Sequence, residues 1–166
     1  MDVLVVVDMQ NDFVTGSAKA YNAEEIVKPL KEKYENFDGK VIFTRDTHYD
    51  NYLSTVEGKK LPIVHCKKGT WGWELIYDVE DKYTIINKES FGSVDLMKEL
   101  EKIDDLGDIY FAGICTDICV ISNAIMAKNY FKDNEVYVYK DLCRGVEDSS
   151  HQNALSAMKV CHINII

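Results

Sequence analysis

The stretch GICTDICV, residues 113–120, holds two cysteines four positions apart, Cys115 and Cys119, directly after the apolar run DIYFAG. A thiol attacks as its thiolate, which a helix N-terminus and a neighbouring cation both favour. Thr116 or Asp117 can cap a helix that begins here, which places Cys119 in the first turn, where unpaired backbone N–H groups can also hold an oxyanion. Cys115 precedes that turn and gains less from it. Lys88, closing YTIINK, and Asp8, closing VLVVVD, suit the same chemistry. An ammonium stabilises a thiolate, while a carboxylate accepts the thiol proton and later delivers it to a leaving group. Spacing alone does not decide for this trio, because an aspartate at a strand end and a lysine after one usually serve as cap and surface. A redox or metal-sensing role for Cys115 and Cys119 acting together stays open beside it.

The elements that must position these groups alternate in type. VLVVVD (3–8) has the unbroken β-branched run of a strand covered on both faces. A helix is expected near 23–36, a strand at KVIFTR (40–45), irregular chain from 46 to about 72, and a third strand at YTIINK (83–88). SVDLMKELEKI (93–103) reads as a helix capped by Ser93. DIYFAG (108–113) is a strand, 117–128 a helix, EVYVYKD (135–141) a strand, 147–160 a helix and HINII (162–166) a last strand. This alternation predicts an α/β fold, a mostly parallel sheet of about six strands with helices on both faces, in one domain spanning 1–166. Ligands in such folds bind beyond the carboxyl ends of the strands. Asp8, Arg45, Asp46, Lys88 and the Cys115–Cys119 pair all fall there.

Composition narrows the function classes. A chain of 166 residues, 46% hydrophobic, can bury a core without disulfide staples. The formal charge of −9 is spread through mixed stretches such as KPLKEKYENF and disfavours nucleic acid or an anionic membrane as partner. No segment approaches the ~20 apolar residues of a membrane span, and MDVLVVVDM lacks a basic leader, so a cytoplasmic location is expected. The five cysteines are odd in number and form no paired CxxC knuckles, against a disulfide scaffold or structural zinc. Cys66, Cys143 and Cys161 are read as buried packing. Homo-oligomerisation is left open.

VVDMQNDF (6–13), FTRDTH (43–48), NKESFGS (87–93) and GICTDICV together resemble the isochorismatase-like cysteine hydrolases, in an order and spacing that cover nearly the whole chain. The resemblance implies a catalytic triad of Asp8, Lys88 and Cys119 with Cys119 as nucleophile. It further implies a cis peptide at Ile114–Cys115 and an oxyanion hole from the backbone N–H groups of Cys115 and Cys119.

Asp46 and His48, two apart at a strand end, and His65 in LPIVHC offer a carboxylate and two imidazoles. Taken singly, each also suits a capped turn. The family's nicotinamidase/pyrazinamidase branch carries such an Asp-x-His and later His, and HCKKGTWGW (65–73) is similar to its corresponding segment. That likeness implies one divalent ion, zinc first, with iron and manganese as alternatives. THYDNYLSTVEG lacks the further histidine of many such relatives; Glu57, eleven residues beyond Asp46, is the substitute ligand or else a solvated loop carboxylate. Phe13, Trp71 or Trp73 would wall the substrate pocket, unless they only pack. The implied reaction is hydrolysis of nicotinamide, or a similar planar amide, to the acid and ammonia. A ureido, carbamoyl or non-aromatic amide is the rival substrate.

Overall fold

The computed structural model describes residues 1–79 and 81–166. Six strands, β1 (Val3–Val7), β2 (Lys40–Asp46), β3 (Thr84–Lys88), β4 (Ile109–Ile114), β5 (Val136–Arg144) and β6 (Asn164–Ile165), form one sheet in the order β3-β2-β1-β4-β5-β6. Every neighbouring pair is parallel. The helices are α1 (Asn11–Val14), α2 (Glu24–Glu35), α3 (Val56–Lys60), α4 (Val94–Glu101), α5 (Ile121–Tyr130) and α6 (Asp148–Val160).

All five residues of β1 are fully buried, and their alternation divides the core in two. Val3, Val5 and Val7 pack with Leu96 and Met97 of α4, Ala124 of α5 and Leu155 of α6. Leu4 and Val6 pack on the other face with Ile26 and Leu30 of α2. A central strand covered on both sides has no use for alternating polarity, hence the continuous apolar run. Each such side chain taken from water contributes about 1.5–3 kcal/mol, so this strand is an anchor for whatever follows it.

The strand order reverses direction between β1 and β4, which makes the crevice beyond their carboxyl ends the switch point of the sheet. Val7 stands opposite Gly113 there. Gly113 has φ of +123°, and a Cβ on it would lie 2.2 Å from the Val7 carbonyl oxygen, so only glycine lets the strands meet this closely. Asp8 and Cys115 follow immediately on the two strands.

Two expectations needed adjustment. The helix expected from residue 117 opens with a π-helical turn, Thr116–Val120, and α5 proper begins at Ile121. The stretch 46–72 is not wholly irregular: it contains a 3₁₀ turn at Tyr52–Ser54, α3, and the start of another turn at Trp71–Trp73. Ser93 caps α4 as expected, accepting the Leu96 N–H at 3.1 Å. Among the described residues no helix is long and apolar enough to cross a membrane.

Candidate active site

Lys88 is the hub of the strand-end cluster. Its Nζ lies 2.7 Å from Asp8 Oδ2, 3.2 Å from Asp46 Oδ1 and 3.3 Å from Cys119 Sγ, and it donates to the Ser90 carbonyl at 3.1 Å. Asp8, Lys88 and Cys119 are 0%, 3% and 5% exposed, so these charges meet with little water between them. Asp8 leaves β1 with φ of +47°, an unfavourable region for an L residue, which turns its carboxylate into the crevice. Thr44 of β2 donates to Asp8 Oδ1 at 2.7 Å, while Oδ2 receives no directed hydrogen bond and only faces the ammonium. One oxygen is thus fixed and the other retains capacity for a proton.

Electrostatics agree with that division. Burial raises the Asp8 carboxyl above its usual range; Lys88 opposes this and Asp46 adds to it. Burial by itself would also raise Asp46, but Lys88 and His48 outweigh it and hold that carboxyl low. Burial works against the charge on Lys88, yet Asp8, Cys119 and Asp46 push its ammonium well above the ordinary lysine range. Burial pushes the Cys119 thiol well up, only partly opposed by Lys88. Desolvation thus outweighs the nearby cation at the sulfur, and a carboxylate that accepts the thiol proton has a use here.

The turn bearing Cys119 departs from the capped helix of the sequence reading. Cys115 occupies the N-cap position without a side-chain cap bond, and its carbonyl accepts both the Ile118 and Val120 N–H groups, at 3.1 and 3.0 Å. Neither Thr116 nor Asp117 caps it. Thr116 Oγ1 lies 2.7 Å from His151 Nδ1, and the Asp117 carboxylate accepts the Val146 N–H at 3.1 Å and is hydrogen-bonded by Ser150 Oγ. Both side chains turn away to α6 and the loop before it. The Ile114–Cys115 peptide is cis.

A second cluster adjoins the first through Asp46. Asp46, His48, Glu57 and His65 each offer a ligand atom, all within 4.8 Å of one another. His48 Nε2 stands 2.9 Å from Asp46 Oδ2 and 3.5 Å from Glu57 Oε1; His65 Nε2 is 3.7 Å from each. His48 Nε2 is buried without a hydrogen-bond partner. His65 Nδ1 meets the Ile63 carbonyl at 2.7 Å, which leaves Nε2 aimed at the other donors. An orphaned imidazole nitrogen amid two carboxylates and a second imidazole fits a divalent ion such as zinc, iron or manganese.

Both clusters open into one cavity of about 460 Å³, lined by Asp46, Glu57, His65, Cys115 and Cys119, with apolar walls that include Phe13, Leu61, Phe91 and Ile118. Phe13 is thus where a wall residue was expected. Trp71 and Trp73 are not. Trp71 is 63% exposed, and Trp73 is buried, donating from Nε1 to Thr47 Oγ1 at 2.9 Å with the Arg45 guanidinium 3.5 Å above its ring. The 3₁₀ turn that carries them points one to solvent and the other beneath β2. Cys66 and Cys143 are buried as expected, but Cys161 is exposed, since it lies just past the end of α6.

Several positioning residues escaped the sequence reading. Gln10 donates to the Asp46 and Trp73 carbonyls and accepts the Asp46 N–H, each at 2.8 Å. Asp12 accepts the Cys66 N–H at 2.8 Å, next to His65. Asn123, fully buried, accepts from Ser93 N–H and donates to the carbonyls of Phe91 and Cys119. A lone amide in the apolar run ISNAIMA was the available signal for Asn123.

Similarity to known proteins extends across the full chain. The Isochorismatase domain family model matches residues 2–166. A nicotinamidase of Saccharomyces cerevisiae is 27% identical over an alignment that spans 100% of this chain and 99% of that protein. A nicotinamidase of Acinetobacter baylyi is also 27% identical, over 93% of this chain and 87% of its own. The crystal structure of a pyrazinamidase of Pyrococcus horikoshii in complex with zinc is 28% identical and superposes with a TM-score of 0.87, covering 99% of this chain and 98% of that one. With the match running from the first strand to the last, the chain belongs to the isochorismatase domain family.

Proposed function

We propose that this amidohydrolase converts nicotinamide to nicotinate and ammonia through a thioester on Cys119. The observation that carries the reading is the shared cavity: a buried thiol with its acid–base partners and a four-residue ligand cluster face one apolar-walled space of about 460 Å³, within the ~300–1,000 Å³ usual for small-molecule sites. The full-length likeness to proteins named nicotinamidase supports the choice of substrate.

In this mechanism Asp8 Oδ2 takes the Cys119 proton as sulfur attacks the amide carbon. The backbone N–H groups of Cys115 and Cys119 hold the oxyanion. Asp8 returns the proton to the departing ammonia, leaving the thioester. It then deprotonates a water that releases the acid and restores the thiol. Lys88 stays charged throughout, balancing whichever of Asp8 and Cys119 bears the negative charge. A divalent ion held by Asp46, His48, His65 and Glu57 supplies, when bound, a Lewis-acid contact for the ring nitrogen, directly or through water. Phe13 and the other apolar walls exclude water from the ring.

Ammonia release from nicotinamide, benzamide, a ureido compound and a carbamoyl compound, with metal analysis of the same preparation, tests this. Nicotinamide is expected to turn over fastest and benzamide, which lacks the ring nitrogen, poorly. Preference for the ureido or carbamoyl compound would transfer the assignment to another amidase of the family.

A further inference from the structure

The turn that carries Cys119 has little support of its own. It is a single π-helical turn without a side-chain cap, and its carbonyl at Cys115 is shared between two N–H groups. Such turns are rare and are held by their surroundings. Here the Asn123 amide holds the Cys119 carbonyl at the end of the turn, and its start is held by α6 and the loop before it.

Thr116 is fully buried and His151, in the first turn of α6, is 9% exposed. Each is the other's polar partner across 35 residues of chain, at 2.7 Å. The next residue, Asp117, sits over the N-terminus of α6, where its carboxylate accepts the Val146 N–H and the Ser150 hydroxyl. A carboxylate is favoured there by the positive end of the dipole of a thirteen-residue helix, beside the Glu147–Ser150 capping box. Gly145 brings the loop in close: a Cβ on it would lie 2.9 Å from His151 Cβ and 3.1 Å from Asp117 Oδ2. Two consecutive residues between Cys115 and Cys119 are therefore tied to one rigid helix.

We propose that His151 is a positioning residue for the nucleophile: by fixing the Thr116 hydroxyl, with Asp117 as second anchor, it sets the path from Cys115 to Cys119. This rests on Cys119 being the nucleophile of the proposed function. An apolar pair of the same size would fill the space but would leave the turn free to rotate. The hydrogen bond adds direction, which placement of both the sulfur and the two oxyanion N–H groups requires. Burial, and then Arg144, keep the imidazole below the usual histidine range, so at neutral pH the ring is uncharged and can accept the Thr116 proton.

The test combines kinetics with a readout that needs no substrate. For Thr116→Val, kcat for ammonia release is expected to fall roughly 10- to 100-fold with KM within about twofold, the pattern of a misplaced reacting group rather than a lost binding contact. Thr116→Ser, which keeps the hydroxyl, should recover most of the rate. His151→Phe should match Thr116→Val, and the double variant should be no worse than either, since both break the same contact. Alkylation of Cys119 by iodoacetamide, located by mass spectrometry, should change in the same order while the melting temperature of Thr116→Ser stays at the wild-type value. If wild-type protein releases ammonia from no amide, the functional reading fails, and the alkylation series still decides on His151. Additive losses in the double variant, or a Thr116→Val protein with wild-type kcat and alkylation rate, would overturn the proposal. Should Thr116→Val not fold, Gly145→Ala decides, because it keeps every hydrogen-bonding group and crowds both anchors: a wild-type kcat there overturns the proposal equally.

Discussion

The two halves of the site are built differently. Asp8, Lys88 and Cys119 stand at strand ends or on a turn tied to α6, all at most 5% exposed, and they contact one another directly. Asp46 shares that setting, but the rest of the ligand cluster comes from connecting chain. His48 follows β2, His65 lies in a loop, and Glu57 rides on the five-residue α3, flanked by Val56 at 72% exposure. The trio assigned to the reaction sits at strand ends and on the turn tied to α6, and most of the groups assigned to the metal are on connecting segments, which vary more freely. Lys88 touches both halves through Asp8 and Asp46 and joins them electrostatically.

If the reacting half works as assigned, the largest effect belongs to Cys119. Cys119→Ala is expected to lower turnover by about 10³-fold or more, since the covalent route disappears. Cys115→Ala should retain a substantial fraction, because it keeps the backbone N–H and loses only a buried thiol that burial holds well above the usual range. Single-turnover kinetics on both variants, with circular dichroism to check folding, measures this. Equal losses in two folded proteins would erase the distinction between the sulfurs.

The second comparison separates the halves. His48→Ala should lose bound metal and weaken aromatic-amide binding, yet leave the rate of Cys119 alkylation within about threefold, because the sulfur's own hydrogen-bond partner is Lys88, which stays in place. Glu57→Ala should lose metal only in part: its side chain is 23% exposed, so water can replace the carboxylate oxygen. Metal content by mass spectrometry beside alkylation rates reads both outcomes. Loss of thiol reactivity in step with metal would show the halves to be one cooperative unit.

The sheet was legible because β1 announces itself: an unbroken apolar run has few alternatives once turn residues bound it. The strand-end rule then gathered Asp8, Asp46, Lys88 and the cysteines without any knowledge of their contacts. What the sequence did not convey is direction. Thr116 and Asp117 have the composition of caps, but they turn to α6, which begins 31 residues later. Trp71 and Trp73 follow His65 closely in sequence, yet a 3₁₀ turn faces them elsewhere. Gln10 and Asn123 work through buried carbonyls that no local pattern reveals.

The smallest effect concerns the anchor behind the reacting half and reads stability in place of rate. Burial holds the His151 imidazole below the usual histidine range and Arg144 on β5 lowers it further; Asp148 on α6, Asp117 on the turn and Asp141 on β5 pull the other way without prevailing. The unfolded chain takes up this proton near pH 6.5, before the folded protein does. Between those two values the unfolded state holds more protons, so the contribution of neutral His151 is fully present above about pH 6.5 and is lost as pH falls through the folded-state value. Urea unfolding of the wild type and His151→Gln at pH 8, 7, 6 and 5 isolates it, because the other titrations cancel in the difference. The difference is expected to be constant from pH 8 to 7 and to shrink below that. A difference that grows on acidification would mean that the folded protein prefers the imidazolium, with Asp117 rather than Thr116 as its partner, and the anchor would then be an ion pair instead of the neutral hydrogen bond on which the turn's placement depends.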